Sequence, residues 1–326
     1  MSLLAAVPNA QEAVIATNDD ATQCKRFAVE KGYWSDPYVS QMVSSAMQRR
    51  APEINRGYYA RVRAIQIMTE QFIKLTKQNC QIVNLGAGFD TMYWRLRDSS
   101  LLPRQFVEVD FPTVTSRKCH IIQSRKKLSD NINSKDGNLL VSSSDLHADD
   151  YHIIGTDLCK LDNLDLKLKD SKVDRSLPTL FICECVLVYI EPEKCEKLIR
   201  WISDNFPTAF FLNYEQVNMG DRFGQIMIEN LKVRNCLLLG NSACQSLDTQ
   251  AQRFLTQGWD GAEATPMTTV YRRLPVAEIE KIEKLEFLDE LELLDQLFCH
   301  YCLCWAYKDA NNIGLSKISL HGTLIE

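Results

Sequence analysis

Short apolar runs alternate with longer amphipathic stretches through the middle of this chain. The runs are QIVNL (81–85), QFVEVDF (105–111), YHIIGTDL (151–158), TLFICECVLVY (179–189) and AFFLNYE (209–215). Between them TMYWRLRD, TVTSRKCHIIQSRKK and EPEKCEKLIRWISDNF carry helical patterns. This alternation predicts an α/β fold of βαβ units, with a parallel sheet covered on both faces. Residues 22–74 read as polar helix, and the Ser-, Asn- and Asp-rich stretch 129–150 as a loop insertion.

After residue 215 the pattern changes. GDRFGQIMIENLKVRN (220–235) reads as a helix with Ile226, Ile228 and Leu231 among its apolar positions, and further helical material follows to about residue 295. HYCLCWAYK (300–308) then alternates, which predicts a late antiparallel edge strand added to the parallel sheet. Residues 1–20 are expected to be a mobile leader. Residues 21–326 are expected to form one domain: a helical cap (21–75), a sheet core (76–215 and 300–310) and a helical insertion (216–299).

Composition narrows this picture. The 326 residues are 45% hydrophobic and 24% charged, enough apolar material for a substantial core. A net charge of −5 argues against a nucleic-acid binder, whose phosphate contacts need a basic face. The N-terminal stretch has no basic region followed by a long apolar run, so neither a signal peptide nor a membrane anchor is expected. The 12 cysteines follow no regular spacing, and Cys183 and Cys185 lie inside an apolar run. They read as reduced thiols of a cytoplasmic protein.

Candidate chemistry clusters at the strand ends. The turn after the first run carries Gly86 and Gly88, but Thr91 stands where a dinucleotide fingerprint needs its third glycine. Asp110 ends the next run, where a carboxylate can accept both ribose hydroxyls of an adenosine. Asp157 follows the third run, and Glu184 sits within the fourth. So much negative charge would repel a pyrophosphate, while each carboxylate alone is equally readable as a cap or a solvated strand end. Together they suit S-adenosylmethionine, which has a ribose, an ammonium and a sulfonium. A methyltransferase is therefore favoured over a dehydrogenase.

Several longer segments carry a resemblance. CKRFAVEKGYWSDPYV, APEINRGYYARVRAI, QIVNLGAGFDTMYWRL, FVEVDFP, ECVLVYI, NYEQVNMGDRFGQIMIENL and LEFLDELELL together resemble the leucine carboxyl methyltransferases. That family methylates the C-terminal leucine of the protein phosphatase 2A catalytic subunit, forming a methyl ester that regulates holoenzyme assembly. The resemblance spans residues 24–308 and implies a class I S-adenosylmethionine-dependent, Rossmann-like sheet of seven strands with a helical cap and a helical insertion. It also implies site residues. Lys25 and Arg61 would hold the methionine end of the cofactor, with Arg61 pairing with its carboxylate. Gly86 would lie at the glycine turn, Asp110 on the ribose, Asp157 and Leu158 around the adenine, and Glu184 near the amino group. Tyr189 and Tyr214, strand-end aromatics, either line the substrate pocket or simply pack. The phosphatase catalytic subunit is the expected partner of a monomeric enzyme that binds neither nucleic acid nor membrane.

No Ser-His-Asp order stands out, and the 5 histidines are scattered. A C-terminal carboxylate has a pKa of about 3.5 and is already ionised at pH 7, so its methylation needs no general base. CHYCLC (299–304) mimics a metal motif, but no second cluster matches it, and no metal is expected. RGYYARVR (56–63) reads as a cofactor-carboxylate site or as a polyanion patch. Two other functions are compatible with these segments. One is a relative that methylates modified transfer RNA bases, against which the acidic pI and the lack of an extra C-terminal domain count. The other is a silent phosphatase-binding protein, which would have no use for the Gly86, Asp110 and Asp157 set.

Overall fold

The computed structural model describes residues 10–43, 48–134 and 139–320. Its first element corrects an expectation. Helix α1 runs Ala10–Glu30 without interruption, so residues 10–20 of the anticipated leader are helical, and residues 1–9 lie outside the described residues. Ala13, Thr22, Cys24, Phe27 and Ala28 are its buried positions, a stripe of mostly small side chains that a search for large apolar residues passes over. Gly32, in the left-handed region at φ 91°, ends that helix, so residues 22–74 are not one helix. A short α2 (Val39–Met42) follows, and Pro52 then opens the long α3 (Pro52–Leu75), where a proline costs no hydrogen bond.

The core then alternates as the apolar runs foretell: β1 (Gln81–Leu85), α4 (Met92–Asp98), β2 (Gln105–Asp110), α5 (Pro112–Ser124) and the short α6 (Lys126–Ser129). Two very short strands, β3 (Leu140–Val141) and β4 (Leu146–His147), rise from the predicted loop insertion. After them come β5 (Tyr151–Gly155), α7 (Leu161–Asp170), β6 (Thr179–Glu184), α8 (Pro192–Asn205) and β7 (Thr208–Gln216). The last part holds α9 (Arg222–Val233), α10 (Leu247–Leu255), β8 (Gly261–Pro266), α11 (Met267–Arg273), α12 (Val276–Glu283), α13 (Leu291–Cys299) and β9 (Tyr301–Asp309).

The strands form one sheet in the order β3-β4-β5-β2-β1-β6-β7-β9-β8. Pairing is parallel from β5 through β7 and antiparallel on both sides of β9. Two expectations fail here. β9 is not an edge strand, because it pairs with β7 over nine positions and with β8 over six. The segment 216–299 is not all helical, because its GAEATP supplies the edge strand β8. Small and polar residues of low strand propensity suffice there, since an edge strand gains from one neighbour only.

Each face of the sheet has its own core. Leu164 and Leu168 of α7, Leu198, Ile199 and Ile202 of α8 and Phe254 of α10 cover one. Residues of α3, α4, α5, α11 and α13 cover the other, among them Phe72, Trp94 and Phe298. The topology reverses at β1, whose neighbours are β2 on one side and β6 on the other. A crevice opens beyond the carboxyl ends of strands at such a reversal, and ligands bind there.

Candidate functional site

β1 stops at Leu85 and the chain turns through Gly86 and Gly88, at φ 68° and 52°. Glycine is needed at both for space as well as conformation: a Cβ on Gly86 would strike Val186, and one on Gly88 would strike Asn18. The turn's N–H groups are already taken. Gly86 and Ala87 donate to the Val109 carbonyl at 2.8 and 3.1 Å, and Gly88 donates to Asp110 Oδ2 at 2.7 Å. Phe89 donates to Asn18 Oδ1 at 2.8 Å, and Asp90 donates to the Ala87 carbonyl at 3.0 Å. A pyrophosphate site offers free N–H groups in a concave row, and this turn has none to offer.

The turn is braced from behind. Asp90 accepts from the Thr91 and Met92 N–H groups and from Asn84 Nδ2. Lys118, on α5, donates to the Asp90 carbonyl at 2.7 Å and pairs with Glu108 on β2. Both side chains of that pair are 1% exposed. Burial pushes the Glu108 carboxyl up to about 7, against the pull of Lys118.

Asp110 ends β2 at the rim of the crevice. One oxygen accepts from Gly88 and the other from the Phe111 N–H at 2.7 Å. Burial raises this carboxyl above its usual range, and those two N–H groups oppose the shift. A carboxylate has about four acceptor positions, so the pair of bonds leaves room for two ribose hydroxyls. Replacing Asp110 with alanine should weaken S-adenosylmethionine about ten- to hundredfold, the worth of a charge-assisted hydrogen bond. Titration calorimetry on the folded variant measures this, and unchanged affinity would remove Asp110 from the site. Asp157 sits past β5, with Oδ1 accepting from the Cys159 N–H at 2.9 Å, and Leu158 beside it is buried.

A buried charge cluster closes the other end. Glu184 Oε2 accepts from Lys25 at 3.2 Å and from Arg61 Nε at 2.7 Å, while Arg61 Nη2 reaches the Glu184 carbonyl at 3.2 Å. Burial alone would raise the Glu184 carboxyl, but Lys25 and Arg61 outweigh it and hold it well below the carboxylate range. The Arg61 guanidinium lies over the rings of Tyr58 (5.6 Å) and Tyr214 (4.8 Å). The cluster keeps one net positive charge, which suits a ligand carboxylate.

Lys25, Arg61, Gly86, Asp110, Asp157, Leu158 and Glu184 all line one cavity of about 1240 Å³. Typical ligand pockets run to about 1,000 Å³, so a cofactor of nucleoside size leaves space for a second molecule. Tyr189 lines the cavity as well. Tyr214 does not; it stacks on Tyr301 at 5.3 Å and backs Arg61, so packing is its place. The sequence reading missed Asn18, Tyr58, Gln216 and Tyr301, which also line the cavity, together with much of α9. Tyr58 lay in plain view inside RGYYARVR. The others come to the site only through tertiary contact.

Among the described residues no group of three His, Cys, Asp or Glu side chains is placed to hold a metal ion, and no helix is long and apolar enough to cross a membrane. Cys302 and Cys304 of the metal-like CHYCLC are buried in the strand β9.

Residues 13–203 match the family model described as Leucine carboxyl methyltransferase. Leucine carboxyl methyltransferase 1 of Bos taurus is 51% identical over 311 residues, covering 94% of this chain and 93% of that one. The tRNA wybutosine-synthesizing protein 4 of Rattus norvegicus is 37% identical over 277 residues, 83% of this chain but only 40% of its own length. Among solved structures, a putative methyltransferase from Thermobifida fusca superimposes with a TM-score of 0.50 at 13% identity, over 82% of this chain and 92% of that one, a likeness of fold. By its family model and its near-full-length likeness to such an enzyme, this chain belongs to the leucine carboxyl methyltransferase family of S-adenosylmethionine-dependent methyltransferases.

Proposed function

We propose that this enzyme esterifies the α-carboxylate of the C-terminal leucine of the protein phosphatase 2A catalytic subunit. One observation carries the reading: among the described residues no histidine lines the cavity, and its Glu184 carboxylate is already paired with Lys25 and Arg61. Burial pushes the Cys185 thiol up to about 12 and raises the phenols of Tyr58, Tyr189 and Tyr301, so all four are neutral at physiological pH. Neutral thiols and phenols do not draw a proton from a hydroxyl, whereas a carboxylate of pKa about 3.5 arrives ionised.

S-adenosylmethionine supplies a methyl group on a positively charged sulfur. The chain's own part is binding and alignment. Asp110 holds the ribose, Asp157 and Leu158 flank the adenine, and Lys25, Arg61 and Glu184 anchor the amino-acid end. Positioning two reactants in this way contributes as much as about 7–11 kcal/mol to a barrier. The lining also includes the apolar Ile226, Met227, Leu231, Leu237 and Leu239, which suit a tail that ends in leucine. The 12 free cysteines and the absence of disulfides suit a reducing cytoplasm.

The test uses isotope-labelled cofactor with the phosphatase catalytic subunit and, in parallel, with transfer RNA, because the wybutosine-synthesizing relative makes the latter the second reading. Label on the phosphatase that is lost in mild base, as a methyl ester must be, supports the proposal. Base-stable label, or transfer to RNA alone, rejects it.

A further inference from the structure

Glu215 is a fully buried carboxylate that the chemistry above leaves unused. It lies near the end of β7, and its two oxygens accept from two backbone groups: Oε2 from the Val188 N–H at 2.9 Å and Oε1 from the Gln216 N–H at 3.2 Å. Val188 is the centre of the 3-10 turn Leu187–Tyr189, which follows the cofactor-side Glu184 and Cys185. The same turn is gripped from its other side, where the Gly240 N–H donates to the Val188 carbonyl at 2.8 Å. A side chain at Gly240 would press on the Leu187 and Ile190 carbonyls, at 2.8 and 3.0 Å from its Cβ. Tyr189 and Ile190 on this turn, and Gln216 beside Glu215, all line the cavity.

We propose that Glu215 is a positioning residue for the methyl acceptor: its ionised carboxylate locks the turn bearing Tyr189 and the strand end bearing Gln216 into one frame, and so sets the acceptor's KM. The inference rests on the acceptor reading given above. Its physical basis is a count of donors. Both groups that face Glu215 are N–H donors, and a protonated carboxyl would have to turn a hydroxyl toward one of them.

The charged neighbours come from two elements, Arg253 of α10 and Arg61 of α3. The surrounding thiols of Cys183, Cys185, Cys244 and Cys302 and the phenols of Tyr189 and Tyr301 are neutral, each pushed up by burial. Burial likewise pushes the Glu215 carboxyl up to about 7, while Arg253 and the two N–H groups pull it down. A raised carboxyl is neutral below that value and ionised above it. The frame therefore tightens as pH rises through neutrality.

Two measurements test this. The first is the acceptor KM for the phosphatase 2A catalytic subunit, in the wild type and in Glu215→Gln, which keeps the volume but turns an NH2 toward one donor. From about pH 6 to about pH 8 the wild-type KM should fall about tenfold, the worth of one hydrogen bond to a charged group. The variant should stay at the high value throughout, with kcat at saturation and cofactor affinity within about twofold of wild type. A variant whose KM follows the wild-type pH profile overturns the proposal.

The second is amide-exchange protection of residues 185–190 in the wild-type protein, which needs neither a variant nor an acceptor. Protection should weaken as pH falls from about 8 to about 6, after correction for intrinsic exchange. Constant protection overturns the proposal. If the phosphatase accepts no methyl group from the wild-type enzyme, the acceptor reading fails and the exchange result alone decides on Glu215.

Discussion

A phosphatase 2A catalytic subunit ending in leucine carboxamide should accept no methyl group from this enzyme. The lining of the cavity decides this. Its thiol and phenols are neutral, no histidine lines it, and Glu184 is already committed to Lys25 and Arg61. General-base help worth about 10²–10⁴-fold is therefore missing, so the acceptor must bring its own negative charge. A carboxamide brings none. With the natural carboxylate, the methyl-transfer step measured in single turnovers at saturating acceptor should be flat from about pH 6 to 9, because a group of pKa about 3.5 stays ionised throughout. The pH dependence assigned to Glu215 acts on KM and vanishes under saturation. Transfer to the amidated protein at another side chain would refute the C-terminal assignment. A rate rising with a midpoint near 7 in those single turnovers would refute the claim that no base takes part.

Replacing Arg61 should be nearly as damaging, and the two obvious substitutions should differ in kind. Arg61→Ala leaves Glu184 buried against Lys25 alone, and breaking a buried pair costs about 3–5 kcal/mol. That is about two to four orders of magnitude in kcat/KM if it falls on cofactor binding, or a marked drop in thermal stability if it falls on the fold. Arg61→Lys keeps the charge but loses the fork that contacts both the Glu184 carboxylate and its carbonyl, together with the stacking on Tyr58 and Tyr214. Calorimetry with S-adenosylmethionine should show about a ten- to hundredfold loss for the lysine variant. Normal affinity there would move Arg61 from the cofactor to the acceptor or to the fold. Acid should act through the same cluster. Because the Glu184 carboxyl is held low, its contribution is present above the ordinary carboxylate range and is lost as pH falls through the depressed value.

How much of this was legible in the sequence depended on where each partner lies along the chain. The parallel core was plain because strands buried on both faces carry mostly apolar runs, as QIVNL does at Ile82, Val83 and Leu85 within a strand buried at every position. The glycine turn and Asp110 were plain because the contact between them spans only 22 residues and one βα unit. β8 was not, since GAEATP is a half-exposed edge without large apolar residues. Nor was the start of α1, whose inward side is built from small residues and whose key contact with the turn is made by a polar one, Asn18. Lys25 was reachable only through the family resemblance, and Arg61 otherwise only as part of the RGYYARVR pattern, because their partner Glu184 lies 159 and 123 positions away. Tyr214 stayed open between pocket and packing because β7 is buried at every position, leaving no alternation to say which side faces the ligand.

The insertion of β9 between β7 and β8 has a consequence for how the chain is born. A ribosome delivers β7 and then β8 well before β9, yet neither pairs with the other in the finished sheet. Until residues 301–309 emerge, nine positions on the open side of β7 and six on β8 lack their partner strand. Those nine residues of β7 include Phe210, Phe211 and Leu212, a sticky ribbon for any other nascent chain nearby. The sheet closes only once β9 has emerged. Translation pauses and holding chaperones would act most strongly on this protein in the interval between residues 216 and 301.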